Sequence, residues 1–346
     1  MRIVDSHFHW WPRKVMEQVC KRTTFPYAEP NEKGGFTYWF RDGKTAKFNL
    51  GPEWYDLDKL FTHMDATGRD FDMIMSTGPF SVHFSELPKD EAKDACIAWN
   101  EEWAWAQRTS GRIASTCVVP LQDTQLAVDT LDDAVLRLGL RSGVSMPGSV
   151  GLHENIDAER LEPFYDRVEQ LGVPLFLHPT DAAFLDVFEG YNGQLYGALG
   201  RIVDVSAAAF RLILSGVMER HPNMKVFMSH TGGALPYQAG RLDKNTRPSK
   251  LMPEKPSSYL KRMYVDTVSP HSMGVKFAIE YFGEDHVMYG DDYPCWTPEA
   301  SLDVFEGVED LSDAQREKVF LTNARRFWEL DKSPIVGQQE LVTATR

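Results

Sequence analysis

Four histidines and two aspartates stand where short apolar runs end, and these residue types could gather a divalent metal ion beside a proton-transfer group. His7 and His9 close the run RIVDSHFH at spacing i, i+2. On an extended strand both side chains take one face, so two imidazoles can converge on one ion. His178 ends PLFLH and His230 ends KVFMSH, while a run ending at Tyr289 leads into GDDYP and supplies Asp291 and Asp292. Singly, each histidine has a plainer reading as a hydrogen-bonded core or loop residue, and the aspartate pair reads as a turn or helix N-cap before Pro294 and Pro298. Together, four of the ten histidines sit at the same end of three different runs, which random placement seldom produces. Three histidines and one carboxylate with an open position suit a catalytic Zn²⁺ first, with Mn²⁺ or Fe²⁺ as alternatives. The remaining histidine then moves the proton, its ordinary pKa lying near working pH.

Such a set needs elements whose ends meet on one face. Eight β-rich runs recur along the chain, at 2–9, 72–77, 112–119, 140–146, 173–178, 225–230, 263–268 and 286–289. Helical spacing separates them at 57–67, 90–109, 125–138, 158–171, 208–220 and 272–282. The links LGVP and ERHPNMKV read as a helix stop followed by a strand start. Eight strands alternating with helices predict an α/β fold of the (β/α)8 TIM barrel type, with residues 1–330 as one barrel domain and 331–346 as a C-terminal tail. Two stretches break the rhythm, an insertion at 11–54 after the first strand and another at 181–205 after the fifth. In a barrel both fall on the catalytic face, as lids or specificity walls. An open doubly wound sheet would want a glycine-rich phosphate turn, and neither GxGxxG nor GxxxxGK[ST] occurs.

Composition narrows the chemistry. A 346-residue chain with 42% apolar and 25% charged residues is an ordinary globular sequence, although its length alone leaves one domain or two open. Thirty-seven basic against 50 acidic residues give a net charge of −13, which opposes binding to nucleic acid or to an anionic membrane surface and favours a small-molecule substrate. The N-terminal residues do not read as a secretory signal, and no apolar stretch approaches the roughly 18 residues of a membrane span. Cys20, Cys96, Cys117 and Cys295 are scattered without a CxxC pair, so a reducing, cytoplasmic location is expected.

The sequence resembles the decarboxylase branch of the amidohydrolase superfamily, the group of the α-amino-β-carboxymuconate-ε-semialdehyde and γ-resorcylate decarboxylases. The markers are VDSHFH, FRDG at 40–43, the HP of FLHP, the block GVMERHPNMKVFMSHTGGALPYQAGRLD, and GDDYP, spread over about residues 1–330. The resemblance implies a metal-dependent, non-oxidative decarboxylase of an unsaturated or aromatic carboxylic acid bearing hydroxyl or amino groups. It implies that His7, His9, His178 and Asp292 bind the metal, with Asp291 as neighbour, and that His230 activates the metal-bound water or moves the proton. Arg241, eleven residues after His230, holds the place of an arginine that crosses a dimer interface to grip a substrate carboxylate, which implies a homodimer.

Three pocket positions depart from the family pattern. A second substrate-binding arginine is replaced by Leu50, with Lys47 three residues earlier as a possible substitute; Thr180 replaces a tryptophan after the HP motif; and Cys295 replaces an aromatic after Tyr-Pro. The candidate substrate-facing set is therefore Arg241, Lys47, Thr180 and Cys295. The main rival is a mononuclear metal-dependent hydrolase of a lactone, ester or amide on the same scaffold, since GVSM at 143–146 offers neither of the bridging groups of binuclear members. A metal-binding scaffold without catalysis is the second rival. Asp266 reads as structural, orienting a ligand or bonding at the rim. Trp10, Trp11, Phe36, Tyr38, Trp39 and Trp54 read mainly as packing, with one or two able to stack on a planar substrate.

Overall fold

The computed structural model describes residues 2–39, 47–68, 70–76, 78–150, 154–180 and 185–330. Its centre is a ring of eight parallel strands: Arg2–His9 (β1), Asp70–Ser76 (β2), Ile113–Ser115 (β3), Val144–Met146 (β4), Leu175–Leu177 (β5), Val226–Met228 (β6), Tyr264–Asp266 (β7) and Val287–Met288 (β8). β1-β2-β3 form one hydrogen-bonded run and β4-β5-β6-β7-β8 another, every pairing parallel. Parallel bridges Cys117–Val144 and Phe8–Tyr293 join the two runs at both seams. At the second seam Ser6 N donates to Tyr289 O and His9 N to Tyr293 O, each at 2.8 Å. Eight parallel strands in chain order with helices between them are the TIM barrel that the alternation predicts.

The links obey local chemistry. Helix Glu162–Leu171 stops at Gly172, whose φ of +68° suits a residue without Cβ, and Pro174 then leads into β5. One helix departs from expectation. The spacing predicts 208–220, whereas the chain forms Arg201–Leu214 and a separate turn Val217–Arg220, split at Gly216 with φ +81°. The helix therefore begins inside the second insertion, so its first turn lies beside the barrel mouth.

The barrel interior is filled by Val4, Ile74, Ala114, Phe176, Phe227 and Met288, packed on Phe327 and Trp328 from the last helix region. β1 carries a register shift against β2 between Asp5 and Phe8. Before the shift Val4 faces the interior. After it His9 pairs with Ser76, two residues beyond the inward Ile74, so His9 faces inward too despite its odd separation from Val4. A strand without the bulge would turn His9 outward, because a one-residue slip exchanges the faces.

The first insertion is folded. It holds helix Arg13–Val19, an antiparallel sheet of Tyr27–Pro30, Phe36–Trp39 and Lys47–Leu50, and the turn Pro52–Trp54. Trp11 anchors it, packing against Tyr38, Trp54, Phe80 and Trp99. The FRDG marker, the tail 331–346 and the side chain of Lys47 lie outside the described residues.

Candidate metal centre and active site

One nitrogen from each of His7, His9 and His178 and one carboxylate oxygen of Asp292 all lie within 4.8 Å of one another, and all four residues are buried. They come from the ends of β1, β5 and β8. In each histidine Nδ1 is already committed. His7 Nδ1 donates to Asp266 Oδ2 at 2.7 Å, His178 Nδ1 to the Pro179 carbonyl at 2.7 Å, and His9 Nδ1 to the Ser76 carbonyl at 3.3 Å. Pro179 ends β5 and at the same time supplies that acceptor. These partners fix the tautomer and leave Nε2 as the lone-pair atom.

The donor set fits a metal ion. Nε2 of His7 and of His178 are buried without a hydrogen-bond partner. His9 Nε2 faces Asp292 Oδ1 at 2.9 Å, and His7 Nε2 lies 3.4 Å from the same oxygen. With Nδ1 acting as donor, Nε2 and a carboxylate oxygen are both acceptors, so a cation between them satisfies the contact. Three imidazoles and one carboxylate are a common ligand set for a catalytic divalent ion.

Asp266 organises the surroundings. Its Oδ2 accepts from His7 Nδ1 and from the His230 backbone N–H at 3.0 Å, while Oδ1 accepts from Thr231 N at 2.8 Å and Val268 N at 3.0 Å. His230 and Thr231 have φ of +56° and +53°, a conformation that side chains with Cβ avoid. One carboxylate thus holds a metal ligand and the strained turn that presents His230. The His230 ring lies 5.3 Å from that of His7 and 5.4 Å from that of His178, with Nε2 buried and unpartnered.

Burial and neighbouring charge set the protonation states. Burial drives His178 well below the ordinary histidine range, helped by His9, His7 and His230, and lowers His9 as well. Burial also pushes His230 down to about 4. His7 is held above its ordinary value because the Asp292 and Asp266 carboxylates outweigh the downward effect of burial. Burial would raise Asp292, but the imidazoles around it, His7 first and then His9 and His230, hold it below the usual carboxylate range. Behind it, Asp5 Oδ1 accepts from His7 N at 3.0 Å and Asp291 N at 3.3 Å, and burial pushes Asp5 up to about 7. Asp291 accepts from Tyr293 N at 2.8 Å, so it shapes the turn that presents Asp292.

The amidohydrolase family model matches residues 4–330. The chain belongs to the amidohydrolase family. A 2-amino-3-carboxymuconate-6-semialdehyde decarboxylase of Dictyostelium discoideum is 28% identical over 267 residues, 75% of this chain and 72% of that protein. A gamma-resorcylate decarboxylase of Rhizobium radiobacter is 29% identical over 313 residues, 83% of this chain and 94% of the other. A crystal structure of a dihydroxybenzoic acid decarboxylase from Polaromonas sp., with bound manganese and the inhibitor 2-nitroresorcinol, superposes with a TM-score of 0.77 at 21% identity, covering 96% of this chain and 98% of that one.

In this amidohydrolase the five residues expected at the reaction centre are brought together, and the four expected to face substrate are placed more variously. Thr180, two residues beyond His178, is buried; its N–H donates to Asp204 Oδ2 at 2.9 Å and its Oγ1 makes no hydrogen bond among the described residues. Cys295 is exposed just beyond the metal carboxylate, its N–H donating to Asp292 O at 2.8 Å. The Lys47 backbone pairs with Trp39 at the sheet edge. Arg241 is exposed on helix Leu235–Asn245 and is not among the groups gathered at the metal cluster.

Three contributors escape the sequence reading. Ser76 receives His9 through its carbonyl and places Oγ 3.1 Å from His9 Nδ1. Trp54, read as packing, stacks on His9 with centroids 5.8 Å apart and planes at 1°. Gly78 leaves room for the same ring, since a Cβ there would lie 2.7 Å from His9 Cε1. The only signal for Ser76 and Gly78 was their position at the end of the second predicted strand.

Proposed function

We propose that this amidohydrolase is a metal-dependent, non-oxidative decarboxylase that releases CO₂ from an aromatic or unsaturated carboxylic acid bearing hydroxyl or amino groups. The observation that carries the reading is the convergence of three imidazoles and one carboxylate within 4.8 Å, with the unpartnered Nε2 of His230 alongside. Zinc is the first choice by ligand type and manganese, present in the Polaromonas relative, the alternative. When bound, the ion polarises a substrate oxygen and so eases the charge that develops as the C–C bond breaks. His230, with burial favouring its neutral form, takes up a proton from water at Nε2 and delivers it to the carbon that loses CO₂. The electron pair of the broken bond stays on that carbon and the delivered proton replaces the carboxylate, so the step needs no oxidant. Asp266 holds the catalytic turn in place, and Trp54 walls the site beside His9.

The protein acts as a homodimer in which Arg241 serves the neighbouring site. Supporting this, Tyr237, one helical turn before Arg241, is 78% exposed and lies 6.4 Å from the partly exposed ring of Phe277, with Met273 on the same helix also exposed. An apolar patch beside an arginine suits a self-complementary interface. No helix among the described residues is long and apolar enough to cross a membrane, and four cysteines without a disulfide among the described residues suit a reducing cytoplasm.

The test is to load the purified protein with Zn²⁺ or Mn²⁺, offer a panel of hydroxylated and amino-substituted benzoic and muconic-type acids, and measure CO₂. Release from at least one acid is the expected result. Opening of a lactone, ester or amide without CO₂ would instead establish the hydrolase.

A further inference from the structure

A second group of metal-binding side chains stands at the end of the barrel away from the reaction centre. His178 follows the C-terminal end of β5, whereas Glu169 and His221 precede the N-terminal ends of β5 and β6. Helix Glu162–Leu171 carries Glu162, Asp166 and Glu169 at spacing i, i+4, i+7, which makes one stripe along its length. His221, in the turn between Val217–Arg220 and β6, is only 2% exposed and packs on that stripe. Its Nε2 donates to Glu162 Oε1 at 3.1 Å. Arg220 grips the same carboxylate, Nη2 donating to Oε2 at 2.7 Å, and holds it below the usual carboxylate range. With the ring proton on Nε2, Nδ1 is left as the lone-pair atom, the arrangement by which a carboxylate prepares a ligating histidine. That Nδ1 is buried and makes no hydrogen bond among the described residues. It faces Glu169 Oε2 at 3.6 Å and Asp166 Oδ1 at 3.9 Å. The other oxygen of Glu169 accepts the Asn223 N–H at 2.7 Å, which fixes that carboxylate and leaves Oε2 to the ring.

Three acceptors that face one another need a positive charge between them. A proton on Nδ1 serves them poorly, because both contacts exceed the roughly 3.2 Å reach of an N–H···O hydrogen bond. Two donors that bind one ion at about 2.1 Å in tetrahedral geometry stand about 3.4 Å apart, and the Glu169 contact of 3.6 Å is close to that span. The Asp166 side chain is 60% exposed, so its carboxylate has room to close from the solvent side, where water can complete the coordination. Charge agrees with this. Three carboxylates against the one guanidinium of Arg220 leave a net charge of −2, which a divalent ion offsets. We propose that His221 Nδ1, Asp166 and Glu169 form a second Zn²⁺ site, which clips helix Glu162–Leu171 to the turn ahead of β6. An imidazole with carboxylates suits zinc, which stands above manganese in the affinity order of divalent ions for such donors. The role is structural, since binding there stabilises the folded chain and places the ion at the opposite end of the strands from His178.

The experiment strips the full-length protein of metal, dialyses it against buffered Zn²⁺ and counts the bound ions by elemental analysis. The wild type is expected to hold two Zn²⁺ per chain, and His178→Ala to lose the catalytic ion and keep this one. Asp166→Asn, a change at an exposed side chain, and His221→Gln should each weaken the second ion by at least about 10-fold, since losing a ligand costs no less than losing a ligand's support. Zn²⁺ should also raise the unfolding midpoint of His178→Ala and leave that of the double variant H178A/H221Q unmoved. If His221→Gln fails to fold, Asp166→Asn decides. One Zn²⁺ per wild-type chain, a His178→Ala protein that holds none, or an Asp166→Asn protein that binds the second ion as tightly as the wild type overturns the site. The count does not involve CO₂ release, so it stands whether or not the decarboxylase reading does.

Discussion

At the scale of single residues, Asp266 carries more of the site than any ligand, because its two oxygens hold the His7 ring and the backbone of the strained His230 turn together. Partners that fix a ligating histidine are typically worth 10- to 100-fold in metal affinity. Asp266→Ala should therefore bind Zn²⁺ roughly 10- to 100-fold more weakly than wild type in competition with a chelator of known affinity; unchanged affinity would remove its orienting role. His230→Ala should behave differently, losing about 10²- to 10⁴-fold in turnover as expected for a lost proton-transfer group while keeping full metal content. A variant that stays active would deny His230 its role. The ligands were legible because residue type and strand-end position are both written in the chain. The supports were legible only in part. Asp266 reads from the sequence as orienting a ligand, as it does, but that the ligand is His7, 259 positions away, is not written in its strand, and Trp54 reads as one more core aromatic until its ring is found parallel to His9.

At the scale of elements, alternation foretold eight strands but not the bulge in β1 on which the metal site depends. His7 and His9 share a face on any extended strand; that this face is the barrel axis follows from pairing with β2, which no pattern within β1 reveals. The first insertion hides another relation. His83 on helix Ser81–Glu86 is buried against Tyr38, its Nδ1 2.9 Å from the phenol oxygen, and burial, aided by the charge of Arg22, pushes it down to about 3. Above the ordinary histidine value of 6.5 the ring is neutral whether folded or unfolded, and this contribution to stability is fully present. As pH falls from there towards 3, the unfolded chain binds a proton that the buried ring refuses, so stability declines. The denaturation midpoint of the wild type should drop between pH 7 and pH 4.5, and His83→Gln, which keeps a polar partner for Tyr38 without the titration, should drop less. Parallel losses would place the acid sensitivity elsewhere.

At the scale of the whole molecule, ring closure at two seams brings together strand ends drawn from residue 7 to residue 292, and the acidic surface leaves attraction for an anionic acid to local groups. Arg241, proposed above as one such group, lies on an exposed helix with Tyr237 and is not among the residues gathered at the metal cluster of its own chain. Sharing across a two-fold interface makes a prediction that an isolated site does not. Under the sharing proposed above, Arg241→Ala should spoil the partner's site and His178→Ala its own, so that each homodimer should be nearly inactive. In a mixed dimer the Arg241→Ala subunit keeps its ligands and receives an intact arginine, while the other subunit lacks both. Random exchange of equal amounts makes half the dimers mixed, so about a quarter of all sites should recover, provided two-fold pairing is the assembly. Steady-state CO₂ release after co-refolding, with dimer exchange verified by differently sized tags, measures this directly. Verified exchange without recovery would mean that Arg241 does not cross to a neighbour, and the acid would then have to be held by the subunit's own cations.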